Sequence, residues 1–385
     1  MSRRAAPLLL TGLLLTGALA ACANVPPAAP PGFSPAWQPV SLPTDGILVR
    51  GLTHCADRWY AVGATPGTDQ RPAAWTSTDA RTWTAIELTP VSHYGERSLL
   101  SSVACHESSV VAVGAAIGGV HGNPRTSTWH HHPDGSWREQ PAGPTLFGGA
   151  EAITVGPVAA GPAGFAIAGT WTGPDGRPAP AVWTAGPRQP WHRTSGTDGL
   201  DAAGAPGSAT DVTALPDGRW LLAGERRPSA LRPEAMSWLW ADPRWQPLPP
   251  ATGPVESSSF ALVAAGPTDT LAVGSDAGRA VSWQLAGEGW QRRGEVSAVR
   301  PLRFLALERS AAVAVVALGD GTGAQLFFST DAGRRWDPLP PPVALTAGSA
   351  QTVALAVAGR RIVLAAGDDT GTRLWTAEIP SAPAS

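Results

Sequence analysis

The sequence predicts an all-β fold: a seven-bladed β-propeller of four-stranded blades, closed by the N-terminal strand. Three observations carry this expectation. Tryptophans recur at intervals of about 45–55 residues, the repeat length of a propeller blade: Trp37, Trp83, Trp137, Trp191, Trp245, Trp290 and Trp336. A second aromatic series precedes them: Trp75, Trp129, Trp183, Trp238, Trp283 and Phe328, continuing at Trp375. A third series is a glycine that ends an apolar run, at Gly63, Gly114, Gly169, Gly224, Gly274, Gly319 and Gly367.

Each unit resolves into short strands. In the first these are 47–53, 59–64, 72–76 and 82–88, rich in Val, Ile, Trp and Thr and bounded by Gly, Pro, Asp or Ser. No segment carries a useful helical period. Four strands per unit at this spacing describe a propeller blade, which buries its faces only by stacking on its neighbours. A large aromatic at one place in each blade fills the widening gap toward the rim. The last unit holds three strands, 351–357, 361–366 and 372–379. Trp37 lies in "AWQPVSLP", which reads like the outer strands "RWQPLPPA" and "RWDPLPPP". Residues 36–42 are therefore expected to supply the missing fourth strand, leaving no open edge at the seam.

The ends read differently. Residues 1–21 form a lipoprotein signal peptide: Arg3 and Arg4 give the positive start, and Leu8 to Leu15 a short apolar core. Leu19-Ala20-Ala21-Cys22 resembles the bacterial lipobox, which implies that Cys22 becomes the lipidated N-terminus; the alternative is an ordinary secretory signal with an incidental Cys. Arg3-Arg4 also suits twin-arginine export, although Ala5, Ala6 and Pro7 replace the apolar residues expected next, so the route stays open. Residues 22–35 read as a proline-rich tether, residues 36–380 as the propeller, and 381–385 as a disordered tail. No later stretch is apolar enough to span a bilayer. The expected location is the outer face of the bacterial cell membrane, held by lipid.

A net charge of −2 argues against nucleic acid as a partner. All 28 basic residues are Arg, which excludes lysine as a Schiff base or general base. Cys55 and Cys105 remain after Cys22. They follow the first strands of neighbouring blades, in matching turns, and are expected to form a disulfide in an oxidising compartment; the alternative is two buried thiols.

Ser329-Thr330-Asp331-Ala332-Gly333-Arg334-Arg335-Trp336 resembles the Asp-box, or bacterial neuraminidase repeat, of the sialidase-like superfamily. Ser77-Thr78-Asp79-Ala80-Arg81-Thr82-Trp83 is the same turn one residue shorter, and "HPDGSW" at 132–137 is a degenerate copy. The kelch propeller is the nearest rival pattern. The Asp-box resemblance implies structural roles for Ser77, Asp79, Trp83, Ser329, Asp331, Gly333 and Trp336: carboxylate capping of the turn, Gly at φ > 0, and an inward Trp. A sialidase would need an arginine triad and a Tyr–Glu pair. The two tyrosines are Tyr60, in an apolar run, and Tyr94, in a loop, and no Arg-Ile-Pro signature is present. Serine-hydrolase, zinc-protease and phosphate-loop motifs are missing too. His130, His131 and His132 suggest a metal, but strand alternation lets only His130 and His132 share a face, so a solvated hairpin is the expectation. No catalytic residue, cofactor or metal is assigned. Long loops are expected at 64–72, 115–127, 170–180, 193–211 and 225–236. The function expected is a non-catalytic surface module binding a protein, peptide or glycan, as in assembly platforms of this repeat class; the alternative is a glycan hydrolase or lyase.

Overall fold

The computed structural model describes residues 33–379, apart from 45, 68–69, 119–123, 203, 230–231, 249–256, 288, 298–302 and 346–350. Cys22, the signal segment, most of the tether and the tail lie outside the described residues. Seven sheets follow one another around a ring, antiparallel but for one short added strand in blade 2. Their inner strands are Leu48–Cys55, Leu99–His106, Ala152–Gly161, Gly207–Ala214, Ser258–Ala265, Arg303–Arg309 and Thr352–Ala358, for blades 1 to 7. Blade 7 continues through Arg361–Gly367 and Thr372–Glu378, and Gln38–Val40 closes it, with Gln38 opposite Thr376 and Val40 opposite Leu374. Trp37 reinforces the seam: its indole N–H donates to the Pro340 carbonyl at 2.8 Å. Among the described residues the one helical turn is Gly95–Arg97, and no helix is long and apolar enough to cross a membrane.

The aromatic series divide the packing between them. Trp75, Trp129, Trp183, Trp238 and Trp283 are all at most 2% exposed. Trp183 and Trp238 also pin the chain arriving from the preceding blade, donating to the carbonyls of Leu146 and Asp201 at 2.8 and 2.7 Å. The later tryptophans reach back to the preceding blade. Trp191, Trp290 and Trp336 donate to Thr128, Ser237 and Ser282, each the residue just before that blade's early Trp. Where that residue is Leu374 or Ala74, the buried indole N–H of Trp83 or Trp137 has no partner.

The glycine series has a cause that the sequence hides. Six inner strands carry a β-bulge near their start, and the strand of blade 7 does not. In blades 1 to 5 the bulge begins opposite the glycine, at Gly63, Gly114, Gly169, Gly224 and Gly274. A Cβ at Gly63 would overlap the Leu48 carbonyl, and one at Gly274 the Ser259 carbonyl. The bulge turns the inner strand and leaves no room for a side chain. Gly319 and Gly367 are different. In blade 6 the bulge lies opposite Leu318, and blade 7 has none.

Two expectations need correction. The fourth strand of blade 1, expected at 82–88, is only Thr84–Ala85; Leu88–Thr89 instead runs parallel to Trp137–Arg138 and gives blade 2 a fifth strand. Glu139, itself buried, explains the departure. Its carboxylate accepts from the backbone N–H of Val91 and Ser92 and from the Ser92 hydroxyl, and so pulls the connection onto blade 2. The segment 225–236, expected as a loop, mostly extends the strands Trp220–Ser229 and Arg232–Ala241. Its charges read as loop composition, yet Arg226 pairs across the strands with Glu234.

Candidate functional site

Strand order gives the ring two unlike faces. One carries the turns from first to second and from third to fourth strand: the turn face. The other carries the remaining hairpins and the passages between blades: the connection face. A channel of about 850 Å³, lined by the inner strands, lies at the centre of the ring.

Most of the channel wall is Ala, Val, Leu and Gly, but five ionisable residues line it: Arg50, Asp211, Arg303, Glu308 and Arg309. Arg50 is tied to Asp369 at 2.9 Å and to the Thr352 hydroxyl at 2.9 Å. Arg309, with 7% of its side chain exposed, is clamped by Asp269 at 2.6 Å. Asp211 accepts from the backbone N–H of Val212 at 2.9 Å and, across to blade 5, from that of Val263 at 2.8 Å. Enclosure by the ring opposes its charge and pushes its pKa up to about 7, with those two N–H groups acting the other way. Enclosure, and then the charge of Asp211, push Glu308 up to about 8. Both residues are half-buried and line the channel. Sequence reasoning missed them. The available signal was a carboxylate in an inner strand whose counterparts are mostly small or apolar.

The turn residues singled out in the sequence are bound up within their own turns. Asp79 accepts from the N–H of Thr82 and Arg81 at 2.7 and 2.8 Å and from the Ser77 hydroxyl at 2.9 Å. Those backbone donors hold its carboxyl well below the usual range. Asp331 accepts in the same way from Arg334, Arg335 and Ser329. Gly333 sits at φ +80°, but Ala332 and Ala80 also take positive φ, at 59° and 60°. Trp83 and Trp336 are buried. The sulfurs of Cys55 and Cys105 are bonded on the turn face, with Cα atoms 6.1 Å apart. The three histidines are not a uniformly solvated hairpin. His130 is 4% exposed, packed edge-on against Phe165, and its pKa is pushed down to about 4 by burial and then by His132. Among the described residues no group of three His, Cys, Asp or Glu is arranged to hold a metal ion.

Among the described residues, three cavities open on the turn face, each in the cleft between two blades. The cleft of blades 2 and 3, about 230 Å³, is lined by His130, His131 and Phe165 among others. That of blades 3 and 4, about 420 Å³, is aromatic, with Phe165, Trp220, Trp240 and Trp245 and the carboxylate of Asp198. That of blades 5 and 6, about 480 Å³, is polar and holds Arg293, Arg309 and Arg334 with Asp269 and Asp331. The strands that flank the long loops expected from the sequence lead into them on the other face.

No protein-family model and no curated protein matches the sequence. Solved structures match it in fold. The β-propeller domain of the Trilobed protease from Pyrococcus furiosus aligns with a TM-score of 0.53 and 9% identity, over 86% of this chain and 96% of that one. A puromycin-hydrolyzing peptidase of Mycobacterium tuberculosis aligns with a TM-score of 0.52 and 14% identity, over 88% of this chain and 54% of that one. The Hadza microbial sialidase Hz136 aligns at 0.46 with 11% identity, over 87% of this chain and 66% of that one. Identities this low speak to architecture alone. The chain is a seven-bladed β-propeller. The P. furiosus domain is described as having an open velcro topology; here Gln38–Val40 closes the ring.

Proposed function

We propose that this protein is a non-catalytic binding module, exported and anchored by lipid at Cys22, that captures an envelope protein, peptide or glycan in the blade clefts of its turn face. One observation carries the reading. The clefts offer aromatic and guanidinium groups, while their carboxylates are not paired for acid–base work. Asp269 is committed to Arg309 and Gln284, Asp331 to its own turn, and Asp198 stands without a second carboxyl in its cleft. Cavities of this size, partly apolar with a few fixed polar groups, suit ligand binding.

A glycan hydrolase or lyase is the second reading, favoured by Asp211 and Glu308. Two carboxyls whose protonation falls near neutrality are the groups an acid–base mechanism needs. One experiment separates the two. The exported protein is incubated with soluble envelope glycans and peptides, and both binding and product release are followed. Saturable binding without new reducing ends, unsaturated products or cleaved peptides supports the module. Turnover that Glu308→Gln abolishes overturns it. Cys22→Ser tests the anchor, since the variant should leave the membrane fraction.

A further inference from the structure

The cleft of blades 5 and 6 differs from the others in its charge. Arg293 occupies a β-bulge in the outer strand Gly289–Ser297: Arg292 lies opposite Trp283 and Gly294 opposite Ser282, with Arg293 between. The extra residue re-aims its side chain into the cleft. Its neighbours Arg292 and Glu295 pair outward, with Asp276 and Arg279, but the buried Nε of Arg293 has no hydrogen-bond partner. The buried Nε of Arg309 lacks one as well, although its Nη2 is held by Asp269. Arg334 projects from the turn of blade 6 and is exposed.

Beside this cleft the two blades are bonded to each other. The Ser282 hydroxyl donates to the Gly333 carbonyl at 2.7 Å and accepts from the Trp336 indole at 3.1 Å. Gly294 lies so close to the carbonyls of Gly333 and Arg334 that a Cβ there would collide with them. Blades 5 and 6 are thus held together next to the cleft that the three guanidinium groups line. Two carboxylates face the same space, and neither neutralises Arg293. Asp269 is spent on Arg309 and Gln284, and Asp331 on the N–H groups of Arg334 and Arg335.

We propose that this cleft binds an oxyanion, a phosphoryl or carboxyl group, between Arg293 and Arg334, with Arg309 fixed behind them. The planar fork of guanidinium matches both groups through paired N–H bonds. The inference rests on the binding-module reading and names the ligand chemistry for one of its clefts.

The test titrates the exported protein at low ionic strength with inorganic phosphate, with glucuronate and with a polyuronate, by calorimetry. Saturable one-site binding is expected, weakened at least about tenfold by Arg293→Gln and by Arg334→Gln separately, and weakened by added salt. Arg97→Gln, an exposed arginine on the connection face, should change nothing. Tighter binding of phosphate identifies a phosphoryl source, and tighter binding of the polyuronate an acidic polymer. Failure of all three anions to bind overturns the proposal, as does binding that Arg334→Gln leaves unchanged. That exposed position keeps the test valid even if Arg293→Gln misfolds. If the anions fail while the protein still captures an envelope component, the oxyanion site falls and the binding module stands.

Discussion

The two faces of the ring treat the gaps between blades in opposite ways. On the connection face, the passages that enter blades 3 and 4 are buried and pinned. Phe147 and Leu200 are buried in these passages, and the indoles of Trp183 and Trp238 hold them by their carbonyls. On the turn face, tight hairpins return within their own blade and never cover the gap. The three cavities lie there, although the long segments lie opposite. Among the described residues, these three clefts follow connectivity and not loop length.

The contrast can be broken or sharpened in four ways. Cys55 and Cys105 make the one covalent link between blades on the turn face. Cys55→Ala with Cys105→Ala should cost about 4 kcal/mol, from the chain entropy of a loop of roughly 50 residues. Thermal unfolding of the two proteins measures it. A loss under about 1 kcal/mol would show that the turn face needs no tie. On the connection face Leu200→Ala should cost about 3 kcal/mol, since the side chain is fully buried. A much smaller value would mean that the passages are not what seals that side.

The channel joins the faces and gives a pH dependence. Asp211 and Glu308 titrate near 7 and 8 when folded, above their ordinary values of 3.8 and 4.5. Between those limits the folded chain keeps protons that the unfolded chain has lost, so stability falls as pH rises. The expected drop from pH 5 to 9 is on the order of a few kcal/mol, and Glu308→Gln should flatten the curve. A profile unchanged in that variant would remove Glu308 from the account. The smallest effect is a gain. Ala74→Ser places a hydroxyl where Thr128, Ser237 and Ser282 stand in other blades, and gives the orphan indole of Trp137 an acceptor. Stability should rise by about 0.5–1.5 kcal/mol; a loss would mean that the hydroxyl cannot reach.

Much of this architecture was legible because it repeats. Trp83 and Trp336 announce the same place in two blades, and Trp37 announced the seam because it lacked a blade of its own. What did not repeat stayed hidden. Gly63 and Gly319 look alike in sequence, yet only Gly63 lies opposite a bulge, because register is a property of two strands and not of one. The long strands at 225–236 carry an Arg226–Glu234 pairing that composition disguises. The candidate sites were the least legible. Asp211 shares the channel with Glu308 two blades away, and Arg293 meets Arg334 from a different blade. Each residue is ordinary in its own segment, and its meaning comes from a neighbour the chain reaches much later.

The closing strand sets an order in time. Gln38 belongs to the part of the ring that is made first, and its partner Thr376 to the part made last. Synthesis runs at roughly 5–20 residues per second, so the first segment waits tens of seconds for the last. Until then the strand Gln38–Val40 has no partner, because Leu374–Thr376 has yet to be made. The finished ring needs both ends of the chain in hand, so a polypeptide cut short before blade 7 leaves its N-terminal strand with nothing to pair against. Closure is a check on completeness, made once, at the end.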